Sequence, residues 1–321
     1  MGGVTVTLAL AGDTMLGRGV GAHLADHRVR DLFGDALLEV VRGTDGVVLN
    51  LECCVSTRGR PWPGRVFHFR APPRAVEALT LLGVRCVTLA NNHALDYGVE
   101  ALLDTLDLLR AAGIAAAGAG PDEAEARAPA QVTVGGQPLT VVGLTDHPQE
   151  YAAAADRPGV AWADLPAGVP GWVTGAVAAG RHTGAVLVMP HWGPNMTREP
   201  PAHVRAAASA LVAAGATVVA GHSAHVFHGA AAPVLYDLGD FLDDYAVDRR
   251  LRNDLGVLWL VTLDGGRLAR AEALPLRLEF ARTDVATGDD ARWVERRLRR
   301  ACADLGSEVT GSAERLELVL P

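Results

Sequence analysis

The sequence predicts a layered α/β domain with mixed sheets. Strand-type and helix-type segments alternate from Val4 to Ala220, and from Pro233 onward the pattern turns to strands. A third observation fits the same class: polar residues able to bind metal recur at strand carboxyl ends, the edge where open α/β sheets place their ligands. With 321 residues the chain can bury a full core.

The elements follow in order. Val4 to Ala11 reads as the first strand, ending at Gly12-Asp13. An amphipathic segment, Val29 to Val41, leads to the strand Gly46 to Leu49, which ends in Asn50-Leu51-Glu52. Residues 55–70 form an Arg/Gly/Pro loop, and Pro72 and Pro73 open a helix with Ala75, Val76, Leu79 and Leu82 at helical spacing. The strand Val84 to Ala90 precedes a helix, Val99 to Ala112, that groups Leu102, Leu103, Leu106 and Leu109 on one face and charges on the other. Ile114 to Ala117 is a short strand, and Gln131 to Val134 pairs with Leu139 to Leu144 as a hairpin around Gly135-Gly136. After an Ala/Pro-rich loop (150–168), helix Val169 to Ala179 leads to strand Ala185 to Met189 and His191. Helix Ala202 to Ala214, closed by Gly215, leads to strand Thr217 to Ala220 and His222. Strands Val234 to Leu238, Val257 to Leu263 and Leu268 to Leu278, a charged helix Asp289 to Leu305 and a strand Arg315 to Leu320 complete the chain.

Composition narrows the function. Hydrophobic residues make up 49% and charged residues 21%, ordinary for a globular protein. All 29 Lys+Arg positions are arginine, which removes lysine Schiff-base and lysine general-base chemistry. The net charge of −8 argues against general nucleic-acid binding, although a local arginine cluster can still hold an anion. Cys53, Cys54, Cys86 and Cys302 lack metal-type spacing. No signal-peptide pattern or 18-residue apolar run is present, so the expectation is a soluble, cytoplasmic protein with no membrane segment.

The most informative feature is Asn91-Asn92-His93, two amides and an imidazole at the end of an apolar strand. An amide oxygen is a hard ligand for a divalent cation, and the imidazole beside it can carry protons. Asp13, Asn50/Glu52, His191 and the pair His222/His225 stand at other strand ends. Each has a plain structural reading: Asp13 as a turn residue, His191 as a satisfied core histidine, His225 and His228 as loop surface. Their recurrence at five strand ends argues for one site.

Gly12-Asp13-Thr14-Met15-Leu16-Gly17-Arg18, Asn50-Leu51-Glu52, Phe69-Arg70-Ala71-Pro72, the segment Ala90 to Gly98, His191-Trp192-Gly193, Gly221-His222-Ser223-Ala224-His225 and Tyr236 to Phe241 together resemble the CapA family of capsule and poly-γ-glutamate synthesis proteins. The resemblance spans about residues 4 to 262. It implies a calcineurin-like metallophosphoesterase fold, an α/β/β/α sandwich of mixed sheets. The resemblance does not cover the C-terminal ~60 residues; a CapA-like catalytic domain is expected over residues 1–280, with the helix and strand of residues 281–321 as an extension packing on it.

The same resemblance implies one or two divalent ions, with Mn, Zn, Fe and Mg not distinguished. Asp13 and His225 would hold one ion, Asn92, His191 and His222 the other, and Glu52 would bridge. His93 resembles the proton-donating histidine of the phosphoesterases. Asp96 would either orient His93 or cap the following helix, capping being the preferred reading. Arg18 and Arg70 are candidates for a substrate anion, whereas Arg58, Arg60 and Arg65 read as a solvated loop. Met15 stands where phosphoesterases place a ligand histidine, so the Asp13 side is one ligand short.

The implied substrate is a peptide or acidic polymer. The implied reaction is amide hydrolysis or transfer, or acid/base chemistry at Cα leading to epimerisation. Phosphoester hydrolysis and a non-catalytic metal-binding role in a polymer-synthesis complex are the alternatives.

Overall fold

The computed structural model describes residues 4–321; the first three residues of the expected 1–280 unit lie outside them. Two sheets stack face to face with helices outside both, the four-layer α/β/β/α sandwich that the family resemblance implies. The larger sheet runs, in spatial order, Val309–Ser312, Arg315–Leu318, Arg267–Glu279, Leu255–Asp264, Thr5–Thr14, Gly46–Leu51, Val84–Thr88 and Ala115–Ala117. Pairing is parallel from Thr5–Thr14 through Ala115–Ala117 and antiparallel on the other side. The second sheet runs Ala230–Ala231, Val234–Leu235, Val218–Ala220, Ala185–His191, Gln137–Thr145 and Ala130–Val134.

Side-chain alternation sorts the strands between layers. From the first strand, Leu8 and Leu10 enter the core between the sheets, while Ala9 and Ala11 face the outer helices. In the second sheet Leu187 and Met189 join that central core, and Val186 and Val188 pack outward against the helices Gly171–Gly180 and Ala202–Ala214. Fully buried strands of this kind read as continuous apolar runs, which is why the sequence shows them clearly.

Local differences from the sequence reading have physical causes. The helix Arg18–Asp26 was not expected: it holds Gly19 and Gly21, poor helix formers, and buries only Val20 and Leu24. The helix Gly98–Ala111 buries Ala101, Leu102, Thr105 and Leu109, with Leu103 and Leu106 half-buried. Thr105 can be buried because its hydroxyl donates to the Ala101 carbonyl and accepts the Val55 N–H. Its charged face is only partly solvated, since Asp104 accepts from Ser56 and pairs with Arg58.

The C-terminal residues join the same layers. Arg282–Val285 and Arg315–Leu318 both pair with Arg267–Glu279, and the helix Gly288–Ala303 places Val294, Leu298 and Cys302 in the central core. No helix among the described residues is long and apolar enough to cross a membrane.

Candidate metal centre

Parallel register gathers the polar strand ends. Asp13 lies opposite Asn50 on one side and Asp240 on the other, Asn50 lies opposite Thr88, and a bridge joins His191 to His222. Close backbone approach makes this possible. A Cβ on Gly12 would sit 1.9 Å from the Gly239 carbonyl oxygen, so only glycine lets Asp13 N–H reach that oxygen at 2.9 Å. Ser223 (φ 110°) and His225 (φ 56°) adopt left-handed backbone in the loop between the two histidines. Strain of this kind persists where surrounding structure over-determines it, typically at sites.

Asp13, Glu52 and His225 are buried and offer ligand atoms within 4.8 Å of one another. His225 Nε2 lies 3.8 Å from Glu52 Oε1, and His191 Nε2 approaches the same oxygen at 4.0 Å. His222 Nδ1 lies 3.2 Å from Asp13 Oδ1. Several of these atoms have no hydrogen-bond partner: Glu52 Oε1, Asn92 Oδ1, His191 Nε2 and both nitrogens of His222. Orphaned buried polar atoms are costly and rare. A divalent cation would satisfy this set of carboxylate, amide and imidazole donors, so the residues fit a metal.

The charge balance agrees. Asp13, Glu52, Asp237, Asp240 and Asp243 are all buried near one another. Burial, with Asp13 and Asp240 nearby, pushes Glu52 well above the usual carboxylate range against the pull of His225. Burial likewise pushes Asp237 up to about 8, though it accepts two backbone N–H groups. Burial alone would raise Asp13, but His222, His225 and His191 together hold it below the ordinary range. His225 is opposed by burial yet raised well above its usual value by Glu52, Asp240 and Asp13. Burial holds His191 low, leaving it neutral and free to coordinate. Metal binding at such a cluster displaces protons.

Supporting residues hold the cluster in place. Asn50 donates from Nδ2 to Asp13 Oδ1 (2.8 Å) and accepts from Asn91 Nδ2 (2.9 Å). Asn91 also donates to the Leu51 carbonyl and accepts the His93 N–H. Asp240 was missed as a site residue. Its Oδ1 lies 2.8 Å from His225 Nδ1, which directs the opposite ring nitrogen, Nε2, toward Glu52, and its Oδ2 is buried without a partner. An acid inside the apolar run Leu238 to Leu242 is the signal that could have found it. Tyr245, also unanticipated, donates to Glu52 Oε2 at 3.3 Å.

His93 lies buried against Phe69, ring centroids 3.8 Å apart, with Nδ1 2.5 Å from Asp96 Oδ2. Burial lowers its pKa against the pull of Asp96, and with Nδ1 turned to the Asp96 carboxylate the opposite nitrogen, Nε2, is the one left to exchange protons. Asp96 is not a helix cap: the Gly98–Ala111 helix begins after Tyr97 with no side-chain cap. Instead Asp96 collects Phe69 N–H (2.7 Å), the Tyr151 hydroxyl (3.1 Å) and His93. Arg65 is likewise not a solvated residue; its guanidinium lies 3.5 Å from Asp96 and over the Tyr151 ring.

The two expected anion residues part company. Arg18 sits over Phe69 and Tyr245 at the rim, 3.4 Å from Asp244. Arg70 turns its guanidinium onto Tyr97 and the Arg58 carbonyl. Met15 is fully buried in the outer core, its sulfur accepting the Gly17 N–H.

Residues 7–245 match the model of the family described as bacterial capsule synthesis protein PGA_cap. The "Probable polyglutamine synthesis accessory protein" of Mycobacterium tuberculosis is 33% identical over 367 aligned positions, covering 98% of this chain and 96% of that one. The PGA biosynthesis protein CapA of Bacillus subtilis is 28% identical over 74% of this chain and 63% of its own length. Among solved structures, the calcineurin-like phosphoesterase YfkN of Bacillus subtilis covers 95% of this chain and 99% of that one at 11% identity, with a TM-score of 0.42.

Proposed function

The chain belongs to the bacterial capsule synthesis family PGA_cap, and on that premise we propose that it is a metal-dependent enzyme acting on a peptide or acidic amino-acid polymer, by hydrolysis or transfer at an amide bond. The observation that carries the reading is the buried His93–Asp96 pair beside the orphaned ligand atoms. A protein that only captured metal or ligand would have no use for an imidazole tuned and aimed in this way.

Asp13, Glu52, Asn92, His191, His222 and His225 would hold the metal. A divalent ion bound there would polarise a carbonyl oxygen and lower the pKa of a bound water. His93 does the proton work: Asp96 fixes the Nδ1–H tautomer, so Nε2 takes a proton from the incoming nucleophile and returns it to the leaving nitrogen. Asn91 sets the position of this histidine through its backbone N–H. Arg18, free of Arg70's commitments, would receive a substrate carboxylate at the rim.

Epimerisation at Cα is the second reading, and one contact favours it. Tyr245, held by Glu52 and tilted against Phe69 at 5.7 Å, could supply the second proton carrier that this reaction needs. The test is to count metal per chain, then incubate the loaded protein with oligo-γ-glutamate and peptides in D2O, and with a generic phosphoester. Amide cleavage or transfer lost in His93→Ala, with metal retained, supports the proposal. Deuterium at Cα without cleavage selects epimerisation, and phosphate release dependent on His93 overturns both.

A further inference from the structure

A cavity of about 500 Å³ lies where the Gly288–Ala303 helix meets the segment before the Ala202–Ala214 helix. Arg198, Arg205, Arg250, Arg296, Arg297 and Arg300 line it. Six guanidinium groups from three stretches of a chain with net charge −8 thus share one concavity. Acidic neighbours compensate little: Glu199 reaches Arg205 at 3.7 Å and Asp304 reaches Arg300 at 4.0 Å. Among the described residues, the guanidinium groups of Arg198, Arg250, Arg296 and Arg297 have no carboxylate within 4.0 Å; Asp248, near Arg198 and Arg250, spends its carboxylate on the Arg250 and Leu251 backbone N–H groups.

Arg297 is the most constrained of the six. It packs against the rings of Phe227 and Trp293, donates from Nη2 to the Phe227 carbonyl at 3.2 Å, and keeps a buried Nε without a partner. Like charges held together in this way repel unless an anion sits among them. The volume is that of a small-molecule site, far larger than one compact oxyanion needs. Charges spread around such a space suit several separate anionic groups, and each guanidinium fork matches a carboxylate. The hydrogen bond to Phe227 also ties the cavity wall to a residue two positions beyond His225.

We propose that this arginine cavity is a second binding site, distinct from the metal centre, that docks a stretch of acidic polymer bearing several carboxylates. The assignment of polymer rather than free anion rests on the substrate class proposed above. Arg250 and residues 296–300 lie beyond the segment that matches the family model, whereas Arg198 and Arg205 lie within it, so the cavity is built jointly by the matched segment and the C-terminal part of the chain.

The test uses the full metal-loaded chain and a fluorescein-labelled oligo-γ-glutamate, read by fluorescence anisotropy. Wild-type protein binds, more weakly as salt rises. Arg296→Glu with Arg300→Glu lowers affinity by about tenfold or more, as loss of charge-assisted contacts requires. Arg292→Glu, on the same helix but paired with Asp289 and outside the cavity, changes it by about twofold or less. Should the double variant fail to fold, Arg198→Ala with Arg250→Ala gives the same reading from exposed positions on the two other segments.

No binding by wild type, equal losses in the cavity and control variants, or displacement by tripolyphosphate but not by unlabelled oligo-γ-glutamate would each overturn the proposal. Binding without turnover in wild type removes the enzymatic reading and keeps the docking site. Turnover without binding does the reverse.

Discussion

Asp96→Asn isolates the role of the buried carboxylate behind His93. Asp96 accepts from His93 Nδ1 and Phe69 N–H on Oδ2 and from the Tyr151 hydroxyl on Oδ1, with Arg65 3.5 Å away. Asparagine keeps a single acceptor oxygen. The arrangement that preserves most bonds turns that oxygen to Phe69 and His93 and the new amide to Tyr151 and Arg65. Tyr151 can rotate its hydroxyl to accept; Arg65 has no acceptor to offer. Hydrogen bonds to a charged group contribute about 1.5–3 kcal/mol against about 0.5–1.5 for neutral ones, so the loss should be about 2 kcal/mol. Asp96→Ala leaves three donors unpartnered at about 1–3 kcal/mol each and should cost about 5 kcal/mol. Urea unfolding of metal-loaded protein measures both values. Turnover in Asp96→Asn should fall by about 10²–10⁴-fold, the usual contribution of a positioned acid or base, with metal content unchanged. Imidazole ¹⁵N shifts would report loss of the single Nδ1–H tautomer. A variant with wild-type stability, tautomer and turnover would show that Asp96 neither orients His93 nor serves it.

Asp240→Ala frees His225 Nδ1 and should weaken metal binding by about 10–100-fold, measured by competition with a chelating dye, while Asp240→Asn, which retains an acceptor oxygen, loses less. Stripping metal with a chelator should lower the unfolding midpoint, and a divalent ion at about 100 times its Kd should restore about 2.7 kcal/mol; identical melts in both states would count against the site.

His228 supplies a pH dependence. Its Nε2 donates to the Thr197 carbonyl, Nδ1 has no partner, and burial, with Arg297 and Arg205 near, pushes its pKa down from 6.5 to about 4. The unfolded chain binds this proton first, so the contribution is complete above pH 6.5 and is lost as pH falls toward 4, by about 3 kcal/mol in all. His228→Gln, which keeps a donor for Thr197, should lose stability less steeply between pH 7 and 5.

Strands buried on both faces and residues at their carboxyl ends are local properties, and both were legible. Val4 to Ala11 and Ala185 to Met189 announce themselves as apolar runs, and Asp13, Glu52, Asn92, His191, His222 and His225 follow such runs directly. Their motif order also pointed to the family. Arg18–Asp26 was illegible because its glycines weaken both propensity and period.

The remaining roles depend on contacts between distant residues. Asp96 reads locally as a cap; only the fold brings Phe69, Tyr151 and Arg65 to it and makes it the partner of His93. Asp240 becomes a support for His225 because its strand pairs in parallel with Thr5–Thr14, more than 200 residues earlier. The arginine cavity arises from residues 198 to 300, which no spacing rule connects. Sequence by itself determined the strands and helices and named the polar strand ends, since burial periodicity and strand polarity are written residue by residue. Tertiary structure decided which donor meets which acceptor, because a buried polar atom takes its role from whatever the packed chain places within about 3 Å of it.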